Sequence, residues 1–154
     1  MRRATEADLP PLGRLGALLL RAHYEFDRLR FMMPRGNPED GYAWFLGQQL
    51  REDDVVIFVA ERSGEVVGYV YAGLEPLSWK ELREACGFVH DIAVAEPHRG
   101  LGIARALIEA ASEWLKAQGA PRVILWTAEP NHVAQRLFEH AGFRRTMIEM
   151  TREL

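Results

Sequence analysis

The most informative stretch of the sequence is Asp91-Ile92-Ala93-Val94-Ala95-Glu96-Pro97-His98-Arg99-Gly100-Leu101-Gly102-Ile103-Ala104. It has the pattern of a strand, a short turn and the start of a helix. Gly100 and Gly102 remove side chains at the turn, where the free N–H groups of the new helix form a site for a phosphate. Arg99 adds a positive charge that can bind such a group through two hydrogen bonds. The stretch therefore predicts phosphate binding at the start of a helix.

A glycine-rich turn by itself is a weak signal, because many turns between a strand and a helix need glycine for structural reasons alone. No Gly-Lys-Ser/Thr follows the turn, so it is not a P-loop. The third glycine of a dinucleotide-binding fingerprint is missing as well. A phosphate site and a purely structural turn both remain open on this feature.

The stretch resembles the signature of the GNAT superfamily of acetyl-CoA-dependent N-acetyltransferases, in which Arg/Gln-x-x-Gly-x-Gly/Ala follows a strand ending in apolar-x-Val. Here the strand ends in Ile92-Ala93-Val94, and the signature reads Arg99-Gly100-Leu101-Gly102-Ile103-Ala104. A second region is similar to the family's downstream cofactor-binding region, through Leu125, Trp126, Thr127, Asn131, Ala134, Leu137, Phe138, Gly142 and Phe143. Residues 1–5 with Asp8 look like the family's first strand and helix start. The resemblance thus covers nearly the whole chain.

The resemblance implies which residues bind acetyl-CoA, the expected cosubstrate. The backbone from Arg99 to Ala104 would hold the pyrophosphate. The main chain from Ile92 to Val94 would pair with the pantetheine arm like an added strand. Asn131 would hydrogen-bond the same arm, and it is also placed to cap the helix that follows, two roles that are compatible. Phe138 would line the same site.

Phe138 is also where the sequence departs from the family. Many members have a tyrosine at this position that protonates the leaving thiolate, and phenylalanine cannot donate a proton. Either another group is the acid or the thiolate leaves without assistance. Tyr69 and Tyr71 in a predicted hairpin are candidate donors, and both are also explained as aromatic residues of the core or of the cleft wall.

The acceptor amine must lose a proton, and His90 is the first candidate for the base. It lies two residues before Ile92, where arylalkylamine acetyltransferases have one of their catalytic histidines, and an imidazole pKa of about 6.5 suits proton transfer near neutrality. The family's other bases fall on Phe88. Strand alternation places Asp91 on the face opposite His90, where it would anchor a helix or orient a water. A buried structural role is the alternative for His90.

Contacts with the acceptor are expected from residues 23–40, which interrupt the helical periodicity and indicate a lid or substrate loop. Tyr24 and Glu25 in this segment, together with Tyr71, are the candidate substrate-binding residues. The acidic pair Glu25 and Asp27 would attract an ammonium group, and a simply solvated pair is the alternative. An irregular connector whose aromatic residues cap the core is the alternative.

The hydrophobic pattern predicts an α/β (α+β) fold. Strands are expected at residues 1–4, 55–61, 66–72, 88–94, 123–127 and 143–151, and helices up to about residue 22 and at 42–50, 102–118 and 133–140. The resemblance implies a mixed, mainly antiparallel central sheet with helices on both faces. It also implies a V-shaped splay between the strands at about 88–94 and 122–127. We expect one domain over residues 1–154.

Composition sets limits on the function classes. A net charge of −3 argues against nucleic acid or an anionic membrane as partner. Cys86 is the single cysteine, so no intramolecular disulfide forms, and no apolar run approaches the roughly 20 residues of a membrane span. A cytoplasmic protein is therefore expected. The five histidines show no metal-ligand spacing, so no metal is expected.

The leading interpretation is an enzyme that transfers an acetyl group from acetyl-CoA to a primary amine of a small molecule or peptide, by direct attack in a ternary complex. A non-catalytic acyl-CoA-binding or regulatory domain is the alternative, and it is consistent with Phe138. A nucleotide-phosphate binder unrelated to CoA is a third interpretation. The sequence leaves a homodimer open and does not identify the acceptor.

Overall fold

The computed structural model describes residues 1–154, which form five strands and four α-helices. The strands are β1 (Arg2–Arg3), β2 (Val55–Arg62), β3 (Glu65–Glu75), β4 (Cys86–Val94) and β5 (Val123–Leu125). The helices are α1 (Leu9–Phe26), α2 (Pro38–Gln49), α3 (Ile103–Ala117) and α4 (His132–His140). Short 3-10 turns at Glu6–Asp8 and Glu96–His98 precede α1 and α3.

All strands belong to one sheet in the order β1-β2-β3-β4-β5. Neighbouring strands from β1 to β4 run antiparallel, and β4 runs parallel to β5. The parallel ladder is short, because it pairs residues 87–89 with residues 123–125 and ends at Val89 and Leu125. Residues 90–94 of β4 therefore have β3 on one side and no strand on the other. The predicted mixed sheet, mainly antiparallel, is confirmed.

Helices cover both faces of the sheet. On one face, α3 packs Leu107 and Leu115 against buried strand residues such as Val70. On the other face, α1 and α2 bury Leu12 and Leu46 against strand residues that include Tyr69 and Tyr71. Burial of a large apolar side chain stabilises a fold by roughly 1.5–3 kcal/mol. These two helical layers hold the sheet in which β4 and β5 splay apart.

A β-bulge interrupts the pairing of β3 with β4. Tyr71 is opposite Asp91 and the next residue, Ala72, is opposite Val89, so that His90 is the extra residue. A bulge breaks the alternation of side chains along a strand. His90 stacks on Tyr71, and Asp91 accepts a hydrogen bond from Tyr69, so both residues lie on the face covered by α1 and α2. The expectation that they lie on opposite faces is therefore wrong.

Two other expectations differ from the structure. Helix α1 continues to Phe26, so the irregular part of the predicted lid is confined to residues 27–37. The strand expected at 143–151 is not formed, because Met147, Ile148 and Met150 are 82–89% exposed and the segment builds no ladder with β5. So little burial cannot offset the conformational entropy that an ordered strand loses.

Candidate active site

The splay between β4 and β5 opens a cleft of about 310 Å³. Its walls come from β4, from β5 and the residues after it, from α4, and from the α1 and α2 side of the sheet. The lining residues are Leu19, Leu20, His23, Arg30, Phe31, Met32, Tyr42, Val89, His90, Asp91, Ile92, Leu125, Trp126, Thr127, Asn131, Ala134 and Phe138. A largely apolar wall with a few polar groups is typical of a small-molecule site. The cleft thus brings together five of the sequence-predicted residues: His90, Asp91, Ile92, Asn131 and Phe138.

The glycine-rich turn leads from β4 into α3. Gly100 and Gly102 have φ angles of 76° and 77°, a left-handed conformation that residues with a side chain rarely adopt, and a Cβ at either position would meet open space. No side chain caps the start of α3. Its first N–H groups are therefore free to bind an anion, and the turn leaves room for one to approach the backbone.

Arg99 and Leu101 complete the turn. Arg99 donates a hydrogen bond from Nε to the carbonyl oxygen of Val94, at 3.1 Å, which ties the turn to the end of β4. The side chain of Leu101 is exposed. The turn is thus held at the strand while its backbone stays accessible, and Ile103 and Ala104 begin the helix directly behind it.

The edge of β4 that faces the cleft is unpaired beyond Val89. Ile92, Ala93 and Val94 pair with β3 on their other side, through Val70, Tyr69 and Gly68. Backbone groups on an unpaired strand edge can form hydrogen bonds with an extended chain that lies alongside. The resemblance assigned this stretch to the pantetheine arm, and its geometry fits that assignment.

Asp91 projects from the bulge into the cleft. The hydroxyls of Tyr42 and Tyr69 both donate to its Oδ2, at 3.1 and 3.2 Å. Oδ1 has no hydrogen-bond partner in the protein. No fully buried side-chain oxygen lacks a partner, so Oδ1 keeps some exposure to solvent, in a residue that lines the cleft. Burial raises the pKa of the Asp91 carboxyl above its ordinary value, and the two hydroxyls oppose that rise.

His90 is enclosed by aromatic rings. It stacks between Tyr71 and Phe88, with ring centroids 4.7 and 4.8 Å away, and its Nε2 lies 3.3 Å from Oε1 of Glu75. Burial lowers the pKa of His90, although the Glu75 carboxylate works in the other direction. The imidazole also lines a second cavity of about 290 Å³ together with Glu75, Glu81, Arg83, Phe88 and Trp126.

The three predicted substrate contacts lie outside the cleft lining. Tyr24 is covered by the guanidinium of Arg28, and Glu25 forms an ion pair with the same residue at 2.8 Å. The hydroxyl of Tyr71 donates to Oε1 of Gln49 at 2.8 Å. Burial raises the pKa of Tyr71 to about 12. The irregular segment after α1 supplies Arg30, Phe31 and Met32 to the cleft instead.

Asn131 and Phe138 line the cleft from α4. Asn131 caps the helix by accepting a hydrogen bond from the N–H of Ala134, at 3.2 Å. Phe138 is 7% exposed, and its ring contacts Phe143 edge-on, with centroids 6.1 Å apart. Phe138 has no hydroxyl, so it cannot donate a proton to a leaving thiolate.

Sequence reasoning missed Tyr42, which lines the cleft from α2. It placed His23 in the predicted lid without a role of its own, and His23 lines the cleft from α1. Tyr42 is 49 residues from Asp91, and its role depends on how α2 packs against the bulge. The helical spacing that includes Tyr42 predicts a helix at 42–50 and gives no role to its hydroxyl. No local motif in the sequence marks either residue.

The sequence matches the model of the acetyltransferase (GNAT) family over residues 20–143. It is also 33% identical over 117 residues to an N-alpha-acetyltransferase of Sulfurisphaera tokodaii, an alignment that covers 72% of this chain and 70% of that protein. The chain belongs to the acetyltransferase (GNAT) family, which confirms the resemblance.

Two further proteins show how far the similarity extends. A mycothiol acetyltransferase of Thermomonospora curvata is 31% identical over 121 residues, which are 74% of this chain and 38% of that protein. The chain therefore spans well under half the length of this relative. The fold is similar to an aminoglycoside N-acetyltransferase in complex with CoA, with a TM-score of 0.76 and 19% identity over 99% of this chain and 92% of the other.

Two structural features bear on other partners. No helix combines the length and the apolar character needed to cross a membrane. Nowhere do three or more His, Cys, Asp or Glu side chains gather so that they could hold a metal ion. That catalysis needs no metal stays a prediction.

Proposed function

We propose that this chain transfers an acetyl group from acetyl-CoA to a primary amine of a small molecule or peptide, within the single unit formed by residues 1–154. One observation carries the proposal: the ladder ends at Val89 and Leu125, so that β4 has an open edge beside a cleft that Asp91, Ile92 and Asn131 line. The glycine-rich turn and the uncapped start of α3 follow β4 directly along the chain, outside the cleft lining. The names of the relatives, an N-alpha-acetyltransferase and a mycothiol acetyltransferase, support acetyl transfer.

Acetyl-CoA is the cosubstrate in this proposal. The pyrophosphate binds the free N–H groups at the start of α3, with Gly100 and Gly102 leaving space for it. The pantetheine arm extends along residues 92–94 of β4 and reaches Asn131. The complex of an aminoglycoside N-acetyltransferase with CoA, whose fold is similar, supports a CoA site on this fold.

The amine attacks the thioester directly. Its nitrogen lone pair forms a bond with the carbonyl carbon, the C–S bond breaks, and the electron pair leaves with sulfur as the CoA thiolate. The proton lost by the amine goes to Asp91 and then to solvent, and the thiolate takes up a proton in turn. The products are an N-acetyl amine and CoA, so that atoms and charge balance.

Two observations support Asp91 as the proton acceptor in preference to His90. Oδ1 of Asp91 faces the cleft without a partner, and its raised pKa makes the carboxylate a stronger base. Both faces of His90 are covered by aromatic rings, and its Nε2 is already near Glu75. His90 stays the alternative proton acceptor. The loss of kcat on substitution of each residue distinguishes the two.

The absence of a hydroxyl at Phe138 favours a second candidate function. An acyl-CoA-binding protein that does not catalyse transfer would keep the turn and the open strand edge and need no acid at this position. The acceptor, the cytoplasmic location and a homodimeric assembly stay predictions.

Incubation with acetyl-CoA and a panel of primary amines tests the proposal. Free thiol should be released in an amine-dependent manner, and mass spectrometry should detect the acetylated amine. CoA binding without amine-dependent thiol release would favour the non-catalytic function. Stabilisation by ATP that equals stabilisation by CoA in a thermal-shift assay would indicate a general nucleotide-phosphate binder.

A further inference from the structure

Tyr42 reaches Asp91 from a different layer of the fold. It lies on α2, and its hydroxyl donates to Oδ2 of Asp91 across 49 residues of sequence. Its ring lies directly against α1 at Gly16, where a Cβ would come within 2.0 Å of ring carbon Cδ1. Glycine at this position therefore allows the close approach that brings the Tyr42 hydroxyl to the bulge.

We propose that Tyr42 is a positioning residue for acetyl transfer, which holds Oδ2 of Asp91 so that Oδ1 points into the cleft. The inference rests on the proposed function, in which Asp91 accepts the amine proton. Helix α2 would then take part in catalysis, in addition to the glycine-rich turn and the splayed strands.

The geometry around Asp91 explains why one oxygen is fixed and the other is free. Tyr42 from α2 and Tyr69 from β3 converge on Oδ2 from two elements, which prevents rotation of the carboxylate. Tyr69 is fully buried, whereas Tyr42 lies at the cleft wall. Tyr42 is thus the donor whose loss would release the carboxylate toward the cleft.

The charged and titratable groups that face Asp91 set the direction of the expected effect. Tyr42 and Tyr69 donate to its carboxylate, and His23 on α1 favours the ionised form when it is protonated. His90 is the neighbour on β4. Burial raises the pKa of Asp91, and each hydroxyl lowers it. Removal of the Tyr42 hydroxyl should therefore raise the pKa further.

Nuclear magnetic resonance of protein labelled with ¹³C at aspartate carboxyl groups tests the inference without relying on activity. In Tyr42→Phe, which keeps the ring against Gly16, the titration midpoint of Asp91 should move to higher pH by about one unit. The acid limb of kcat/KM for amine transfer should move in the same direction. The KM for acetyl-CoA should stay unchanged.

Two further variants provide controls. Tyr71→Phe removes a hydroxyl from the same face of the sheet, but one that donates to Gln49, so the midpoint of Asp91 should not move. Gly16→Ala displaces the Tyr42 ring and should raise the midpoint as Tyr42→Phe does.

Each outcome of these titrations is decisive. An unchanged Asp91 midpoint in Tyr42→Phe overturns the inference, as does a raised midpoint without a matching shift of the acid limb. If the wild-type protein transfers no acetyl group to any amine, the proposed function fails, and with it the catalytic role of Tyr42. The carboxyl titration then still reports whether Tyr42 holds Asp91.

Discussion

Val89 of β4 and Leu125 of β5 form the last pair of the parallel ladder, and the two strands separate beyond it. The next two residues of β4 are His90 and Asp91, at the bulge. The cleft therefore opens at the place where the strand changes which face its side chains occupy. A continued ladder would pair the strand edge that we assign to the pantetheine arm.

Gly102→Val should weaken CoA binding. Valine adds branched carbons where the pyrophosphate approaches and strains a backbone with φ of 77°. We expect the dissociation constant for CoA to rise at least tenfold, or about 1.4 kcal/mol, by isothermal titration calorimetry.

Gly119→Val is the matched control for this effect. Gly119 has φ of 87° and open space around it, and it follows the other end of α3. Both variants should lose stability, since a left-handed conformation costs a residue with a side chain roughly 1–2 kcal/mol. Only Gly102→Val should lose CoA affinity. Equal affinity in the two folded variants would argue against a pyrophosphate site at this turn.

Phe138→Tyr should raise kcat if departure of the thiolate limits the rate. The new hydroxyl enters the cleft at the position where many family members have their acid, and a positioned acid contributes up to about 10²–10⁴-fold. The affinity for acetyl-CoA should change little. Phe26→Tyr, at the end of α1 and outside the cleft lining, should leave kcat unchanged. An unchanged kcat in Phe138→Tyr would mean that the thiolate leaves unassisted or has another acid.

Asp91→Asn should increase stability at pH 7. Burial raises the folded-state pKa of Asp91 above its unfolded value, so the folded protein holds this proton more tightly. Ionisation therefore costs stability as the pH rises through the folded-state pKa, and the cost is absent below the unfolded value of about 3.9. A neutral amide removes that cost. The gain in Tm, measured by calorimetry, should shrink as the pH is lowered toward 4.

Asp8→Asn should have the opposite effect. Hydrogen bonds from Arg2 lower the pKa of Asp8 to about 2, so its carboxylate stabilises the fold above the unfolded pKa, and this contribution is lost as the pH falls toward 2. At pH 7 we expect a loss of about 1–3 kcal/mol. In a chain of this size each 1 kcal/mol moves Tm by about 2–4 °C. A gain in Tm for Asp8→Asn, or a loss of Tm for Asp91→Asn at pH 7, would contradict the assignment made for that residue.

The sequence predicts those parts of the site that are set by local structure. The turn at Gly100 and Gly102 follows from glycine next to an amphipathic helix, and its positive φ angles agree with that pattern. The bulge at His90 could not be predicted, because register depends on how β3 and β4 align. The contact of Tyr42 with Asp91 depends in addition on the packing of α2 against the sheet.

At the tail of the chain, the sequence predicts an element that does not form. Residues 143–151 have the composition of a strand, and their apolar side chains predict one. A strand also needs a partner, and no ladder forms between this segment and β5. Propensity alone therefore predicted an element that the tertiary structure does not contain.

The most direct test of the account is the kcat for amine-dependent thiol release in Asp91→Asn, compared with His90→Ala, each expressed per folded molecule and with acetyl-CoA affinity measured in parallel. A general base contributes about 10²–10⁴-fold, so Asp91→Asn should lose kcat by that factor while its acetyl-CoA affinity stays near the wild-type value. His90→Ala should keep most of its kcat. Full activity in Asp91→Asn, with the loss found in His90→Ala instead, would contradict the role of Asp91 and identify the histidine as the base.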